Sequence, residues 1–158
     1  MLSWIFYSLL DKLSYFKVIL THADSKLPQK AEPGSAGYDV FSVENCEIAP
    51  SKRSLVSIGL SIEIPSNCYL RCAPRSGLSC KGIDIGAGVI DSSYRGEIMV
   101  LMINNSPDVF SIKTGDKIAQ LIMERCLNVQ PVIVESLSDS LRGENGFGST
   151  DENIMNGY

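Results

Sequence analysis

Strict alternation is the feature that most limits what this chain can become. From Val56 to Ile64 every even position is apolar (Val56, Ile58, Leu60, Ile62, Ile64), and the odd positions are Ser57, Gly59, Ser61 and Glu63. A period of two gathers all five apolar side chains on one face of an extended chain, the pattern of a half-buried antiparallel strand. A helix, with neighbours every 3.6 residues, would scatter them around its axis. Shorter runs at Phe16–Leu20, Val109–Ile112, Ile118–Met123 and Val129–Val134 read as further strands. Ile98 to Ile103 is apolar throughout, which predicts a strand buried on both faces. Turn residues punctuate these runs at Pro50, at Pro65-Ser66-Asn67, from Asn104 to Asp108 and at Thr114-Gly115-Asp116. Many short strands with regular punctuation predict an all-β sandwich or barrel. After residue 16, only Ser76 to Lys81 offers a short helical turn.

The 158 residues suffice for one domain with a real core. Three segments are expected: an apolar N-terminal extension at 1–15 outside the core, a β domain at 16–136, and a flexible C-terminal arm at 137–158. In the extension, Trp4, Ile5, Phe6, Leu9, Leu10 and Leu13, with Phe16 beyond it, fall near helical spacing. It is too short to span a bilayer and lacks the basic start and cleavage site of a signal peptide. It reads either as a loosely docked extension or as a helix for a partner or a membrane surface, with contact through residues 1–16. In the arm, Ser, Gly, Asp and Glu dominate, so it cannot build a core of its own. A net charge of −4 argues against non-specific binding of nucleic acid, which needs a basic face. The five cysteines are odd in number and contain no C-x-x-C, and the single His is His22. Zinc therefore lacks ligands, and reduced thiols in an intracellular compartment (cytoplasm, nucleus or both) are expected.

Five polar, Gly-rich segments do not read as ordinary turns: Ala36–Ser42, Pro74–Ser79, Gly88–Glu97, Gly115–Leu121 and Arg142–Thr150. In the second, Arg75 offers a fixed fork of donors, Ser76 a hydroxyl, and Gly77 room for close backbone approach. With a helical turn starting there, this is either a phosphate cradle or a helix cap beside a surface Arg. In the third, Val89 and Ile90 lead to Asp91, and the chain then re-enters the Ile98 strand, which predicts a β-hairpin. Its backbone could read a base edge, or Asp91 could be a plain turn former. In the fifth, Arg142, Ser149 and Thr150 could donate to phosphate while Gly143, Gly146 and Gly148 let the backbone wrap, or the segment is a flexible tail with an incidental aromatic. Phe147 has no core to enter, and stacking on a base is worth about 1–3 kcal/mol. Asp39, Asp91 and Asp116 sit in three different segments and suit a hard cation or a general base. Gln120 could donate to a phosphate or face solvent.

In this order the five segments resemble the five motifs of the trimeric all-β dUTP pyrophosphatases (dUTPases), from about Phe16 to Thr150. The resemblance implies a jelly-roll-like β-barrel or sandwich, a homotrimer with sites at subunit contacts, dUTP as substrate and Mg²⁺ as cofactor. It implies that Arg75, Ser76, Gly77 and Gln120 hold the phosphates. The backbone of Gly88, Val89 and Ile90 would read uracil, and Tyr94 would pack under the deoxyribose and exclude a 2′-hydroxyl. Asp91 would deprotonate the attacking water, and Asp39 would stand in the outer shell of the metal. Phe147 would cover the base, with Arg142, Gly148, Ser149 and Thr150 on the terminal phosphates. Asp116 would be structural. The family often carries an acid two residues after the catalytic Asp, where this chain has Ser93. A deoxycytidine triphosphate deaminase and a catalytically inactive module are the alternatives on the same fold.

Overall fold

The alternating run from Val56 to Ile64 folds as two strands, not one. The computed structural model describes residues 15–144, so the stripe from Trp4 to Leu13 and the arm residues Phe147, Gly148, Ser149 and Thr150 lie outside the described residues. Two compact units divide the chain, one ending at Asn128 and the other beginning at Val129. In the first unit the strands are β1 (Lys17–Leu20), β2 (Tyr38–Phe41), β3 (Cys46–Ile48), β4 (Arg53–Ser57), β5 (Leu60–Glu63) and β6 (Cys68–Ala73). After a one-turn helix α1 (Ser76–Ser79) come β7 (Ile83–Gly86), β8 (Val89–Ile90), β9 (Met99–Asn104), β10 (Phe110–Ile112) and β11 (Lys117–Arg125). The result is the expected jelly-roll-like, nearly all-β architecture.

Every ladder is antiparallel. The sheets have the orders β1-β5, β10-β3, β2-β11-β6-β8 and β4-β9-β7. The break in the alternating run falls at Gly59, whose φ of 64° belongs to the left-handed region that glycine enters without penalty. A Cβ there would also come within 2.2 Å of the Ser25 hydroxyl oxygen. The chain therefore turns a corner, β4 pairing with β9 and β5 with β1. All five apolar side chains of the run are nonetheless buried, with Val56 and Leu60 wholly so. They join Val40, Ile48, Leu70, Val100, Met102, Ile112 and Leu121 in one hydrophobic cluster that draws on all four sheets. Each such side chain withdrawn from water contributes about 1.5–3 kcal/mol.

Two further expectations are corrected. The run from Ile98 to Ile103 is not buried on both faces: Ile98, Val100 and Met102 point into the core, whereas Met99 is 41% exposed and Leu101 and Ile103 are only half-buried. The sheet β4-β9-β7 has a covered inner face and an uncovered outer one, where Leu55 is also exposed. Residues Val129–Val134 form no strand. Pro131 removes a ladder donor from that run, and Val129, Val132, Ile133 and Val134 are all exposed. In the second unit the one hydrogen-bonded turn among the described residues links the Gly143 N–H to the Ser140 carbonyl, with Gly143 at φ 54°.

Candidate functional site

Three of the five segments meet at one end of the four-stranded sheet. Strand β11 lies between β2 and β6, and its register aligns Asp39, Gln120 and Ala73 across the sheet. Two residues beyond Ala73, Arg75 turns back over this line. Its Nε donates to Asp39 Oδ1 at 3.0 Å and its Nη1 to the Lys117 carbonyl at 3.3 Å. The Lys117 ammonium stands 2.9 Å from Asp39 Oδ2, but off hydrogen-bond geometry, so the contact is coulombic and that buried oxygen receives no hydrogen bond. Asp39 is 7% exposed, which an ionised carboxylate tolerates only when paired. The two cations keep about a third of their side-chain surface open, 35% for Arg75 and 38% for Lys117. One anion has thus fixed two cations in place while leaving a net positive edge toward solvent, an arrangement suited to a polyphosphate.

Around this edge, Gln120 Nε2 donates to the Pro74 carbonyl at 3.0 Å. Its side chain lies so close to Gly37 that a Cβ there would be 2.3 Å from Gln120 Oε1. Ser76 and Gly77 open α1 and are exposed. Arg75 is the N-cap in extended conformation and makes no side-chain capping bond, so the first N–H groups of the turn have no capping side chain. A Cβ on Gly77 would touch nothing within 4 Å in this chain. Sequence reasoning missed Lys117. On a regular strand it would share the buried face of Ala119, but a register shift between these two residues re-aims it. Asp116 is structural, accepting from the Lys113 N–H at 2.8 Å while its carbonyl accepts from Ser42.

The Asp91 segment is a corner rather than the expected hairpin. Strand β8 pairs with β6, and β9 pairs with β4 and β7 in another sheet, so the two arms share no ladder. The turn itself is present, with the Tyr94 N–H donating to the Asp91 carbonyl at 3.1 Å. Gly88 is required by close approach: its carbonyl accepts from the Cys72 N–H at 2.7 Å, and a Cβ would meet the Cys72 carbonyl oxygen at 2.3 Å. Val89 is exposed, Ile90 is half-buried, and Asp91, Ser93 and Tyr94 face solvent. Across the strand from this turn, the Glu124 carboxylate accepts from the Tyr69 hydroxyl and from Arg71 Nε at 2.6 Å. An open cleft of about 690 Å³ lies beside the turn, between Phe16, Asn67, Ser92 and Arg95, and not over the Arg75 edge.

A single chain does not bring Asp91 and Arg75 together. The Ile90–Leu70 pair places Asp91 at the level of Tyr69, four residues along β6 from Ala73. Asp39, to which Arg75 is tied, lies across the sheet beyond β6 and β11. Three strand spacings across and four residues along make about 20 Å. The remaining candidate within the described residues, Arg142, is exposed in the second unit. Among the described residues no three His, Cys, Asp or Glu converge. The five cysteines are free, and burial pushes the Cys72 thiol up to about 12, which leaves it inert at neutral pH.

Fold and placements together define a jelly-roll-like all-β protein with a paired-cation edge at one end of its main sheet and an exposed carboxylate at the other. The dUTPase family model matches residues 23–151. The deoxyuridine 5'-triphosphate nucleotidohydrolase of vaccinia virus (strain Copenhagen) is 50% identical over 126 residues, covering 80% of this chain and 86% of that protein. Its monkeypox counterpart is also 50% identical over 126 residues, covering 80% of this chain and 83% of that protein. Among solved structures, a Staphylococcus bacteriophage 80alpha dUTPase mutant with dUpNHpp superposes with a TM-score of 0.83 at 25% identity, covering 87% of this chain and 98% of that one. A dUTPase mutant from phage phi11 of S. aureus, described as revealing the coordination of a structural Mg(II) ion, reaches a TM-score of 0.75 at 23% identity, covering 80% of this chain and 100% of that one. The chain belongs to the dUTPase family.

Proposed function

We propose that this chain hydrolyses dUTP to dUMP and pyrophosphate at sites assembled between copies of itself. The observation that carries the reading is the Asp39–Arg75–Lys117 cluster, a preformed cationic edge in a chain of this family. Phosphoryl chemistry demands charge neutralisation before anything else, and preorganised donors supply it without reorganisation cost. Arg75, Lys117, Gln120 and the N–H groups of Ser76 and Gly77 grip the phosphates of one nucleotide. The backbone of Gly88, Val89 and Ile90 reads the uracil edge, and Tyr94 lies under the sugar. Asp91 takes a proton from one water. The water oxygen bonds to the α-phosphorus, and the bond from that phosphorus to the β-bridging oxygen breaks, releasing pyrophosphate. General-base help of this kind is worth about 10²–10⁴-fold. Arg142 and the segment through Phe147, Gly148, Ser149 and Thr150 close over the bound nucleotide and exclude bulk water.

The 20 Å gap between Asp91 and the Arg75 edge is why the site takes residues from more than one chain. A homotrimer supplies them, and the outer apolar face with Leu55 and Met99 exposed and Leu101 and Ile103 half-buried is the kind of surface that subunit contacts cover. The donor set also fits magnesium in the outer shell. Asp39 Oδ2 is a buried carboxylate oxygen that receives no hydrogen bond, and Arg75 and Lys117 beside it disfavour direct coordination, so Asp39 would act on the metal only from the outer shell. When bound, the ion would supply charge neutralisation to the triphosphate.

The experiment is to incubate the chain with each deoxynucleoside triphosphate and magnesium in turn and measure pyrophosphate. Release from dUTP alone is expected. No release from dUTP overturns the reading, and ammonia from the cytosine nucleotide would assign the deaminase chemistry instead.

A further inference from the structure

We infer that Glu97 is a positioning residue that locks the Tyr94 ring against the sugar, so that the discrimination between dUTP and UTP depends on it. The inference rests on the reading that Tyr94 lies under the deoxyribose.

Tyr94 is 46% exposed and stands on a turn, so the core does not hold it. Two local contacts do. Its hydroxyl donates to the Glu97 carbonyl at 2.9 Å. Its ring lies across Gly96, where a Cβ would come within 2.5 Å of the hydroxyl oxygen and 2.7 Å of Cζ. The acceptor is useful only if it is itself fixed. Glu97 is fixed by its own side chain, whose carboxylate accepts from the Ser57 hydroxyl and from the Thr21 hydroxyl at 2.9 Å. Ser57 ends β4 and Thr21 follows β1, so this one carboxylate pins the turn to two different sheets. The next residue continues the anchor, with the Ile98 N–H donating to the Leu60 carbonyl at 2.8 Å. The Ser57 hydroxyl, and after it that of Thr21, hold the Glu97 carboxyl below the usual carboxylate range, so it stays charged and keeps both donors.

Steric rejection of a ribose 2′-hydroxyl needs a ring that does not yield. A surface tyrosine free to change rotamer would move aside at little cost, and the extra hydroxyl would then be admitted. The tether from Ser57 and Thr21 through Glu97 to the Tyr94 hydroxyl raises that cost. It acts on selectivity, because the dUTP sugar does not push against the ring.

The test compares kcat/KM for dUTP and UTP across a set of variants of the full chain. Glu97→Ala and Tyr94→Phe should each lower the dUTP-to-UTP ratio by about 3- to 10-fold, the effect of one lost hydrogen bond. Combined, they should lower it no further than either alone. Glu97→Gln, whose amide oxygen can accept from one hydroxyl while its NH2 group donates to the other, should restore most of the ratio. If Glu97→Ala fails to fold, Ser57→Ala and Thr21→Val remove the donors singly and should lower the ratio in the same direction. A wild-type ratio in Glu97→Ala, or additive losses in the double variant, overturns the inference. Tyr94→Ala separates it from its premise. A lowered ratio there beside a wild-type ratio in Glu97→Ala sinks the tether alone, whereas an unchanged ratio in Tyr94→Ala sinks the sugar-packing reading as well.

Discussion

Two inactive variants should rescue each other when mixed. Asp91→Asn removes the proposed base and Arg75→Ala the proposed phosphate fork, so neither variant alone should turn over dUTP. In one chain Asp91 lies about 20 Å on the sheet spacing from Asp39, to which Arg75 is tied. On the proposed function, an active site takes Arg75 from one copy and Asp91 from another, through a head-to-tail contact. Suppose the two variants are denatured, combined in equal amounts and refolded. A site is intact when the copy giving Arg75 carries the Asp91 change and the copy giving Asp91 carries the Arg75 change. These are independent draws of one half each, so about a quarter of the wild-type pyrophosphate release should return. Native mass spectrometry would verify that mixed assemblies formed. If they form and the activity stays at the level of the separate variants, both residues work from the same chain, and the sheet geometry has been misjudged.

Removing residues 142–158 should abolish most dUTP turnover while leaving thermal unfolding of the β unit unchanged, since its last strand ends at Arg125; a fully active truncate would refute the closing segment. Lys117→Met should weaken dUTP binding more than dUMP binding in calorimetry, and equal losses for both would remove Lys117 from the phosphate site. Asn104→Ala should destabilise the fold by roughly 3–5 kcal/mol and lower the melting temperature by about 10 °C or more, because four hydrogen bonds to a buried side chain are lost together; a change within about 1 kcal/mol would contradict that bookkeeping. Acid should destabilise the protein in a defined window. The Tyr69 hydroxyl and Arg71 lower the Glu124 carboxyl, and the Ser57 and Thr21 hydroxyls lower that of Glu97, both from 4.5. A depressed folded value gives stability that is complete above the ordinary carboxylate range and is lost as pH falls through and below it. Melting temperature should therefore drop below about pH 4.5 and drop less steeply in Glu124→Gln, and a parallel decline in that variant would remove Glu124 from the account.

Much of the fold was legible because burial follows side-chain period. The alternation at 56–64 correctly named five core residues, yet it could not reveal that the segment is two strands. Period reports which face a residue shows, and only pairing reports which sheet it joins. Gly59 was the available signal, an isolated glycine inside a strand pattern, and its positive φ is what turns the corner. The run from Ile98 to Ile103 misled for a related reason. An apolar side chain looks the same in sequence whether it enters this chain's core, as Val100 does, or stays on an outer face, as Met99 does. The run at 129–134 has strand-like residues but no ladder among the described residues, and a strand is stable only in the company of another.

The candidate residues were legible by type and not by geometry. Arg75, Asp39 and Gln120 stood out by residue type, and the register of β2, β11 and β6 gathers them. Lys117 did not stand out, because a bulge decides where its ammonium points and no local pattern announces that bulge. Asp91 was visible as a carboxylate in a turn, but linear order could not tell that β8 delivers it to the opposite end of β6 from Arg75. That separation has a physical consequence beyond distance. A base and a phosphate grip built into one chain would hold a carboxylate and a cation edge in direct attraction. Here Asp39 occupies Arg75 and Lys117, and Asp91 stands alone on another edge. On the proposed function the two charge systems meet on assembly, with the triphosphate between them to take up the positive charge.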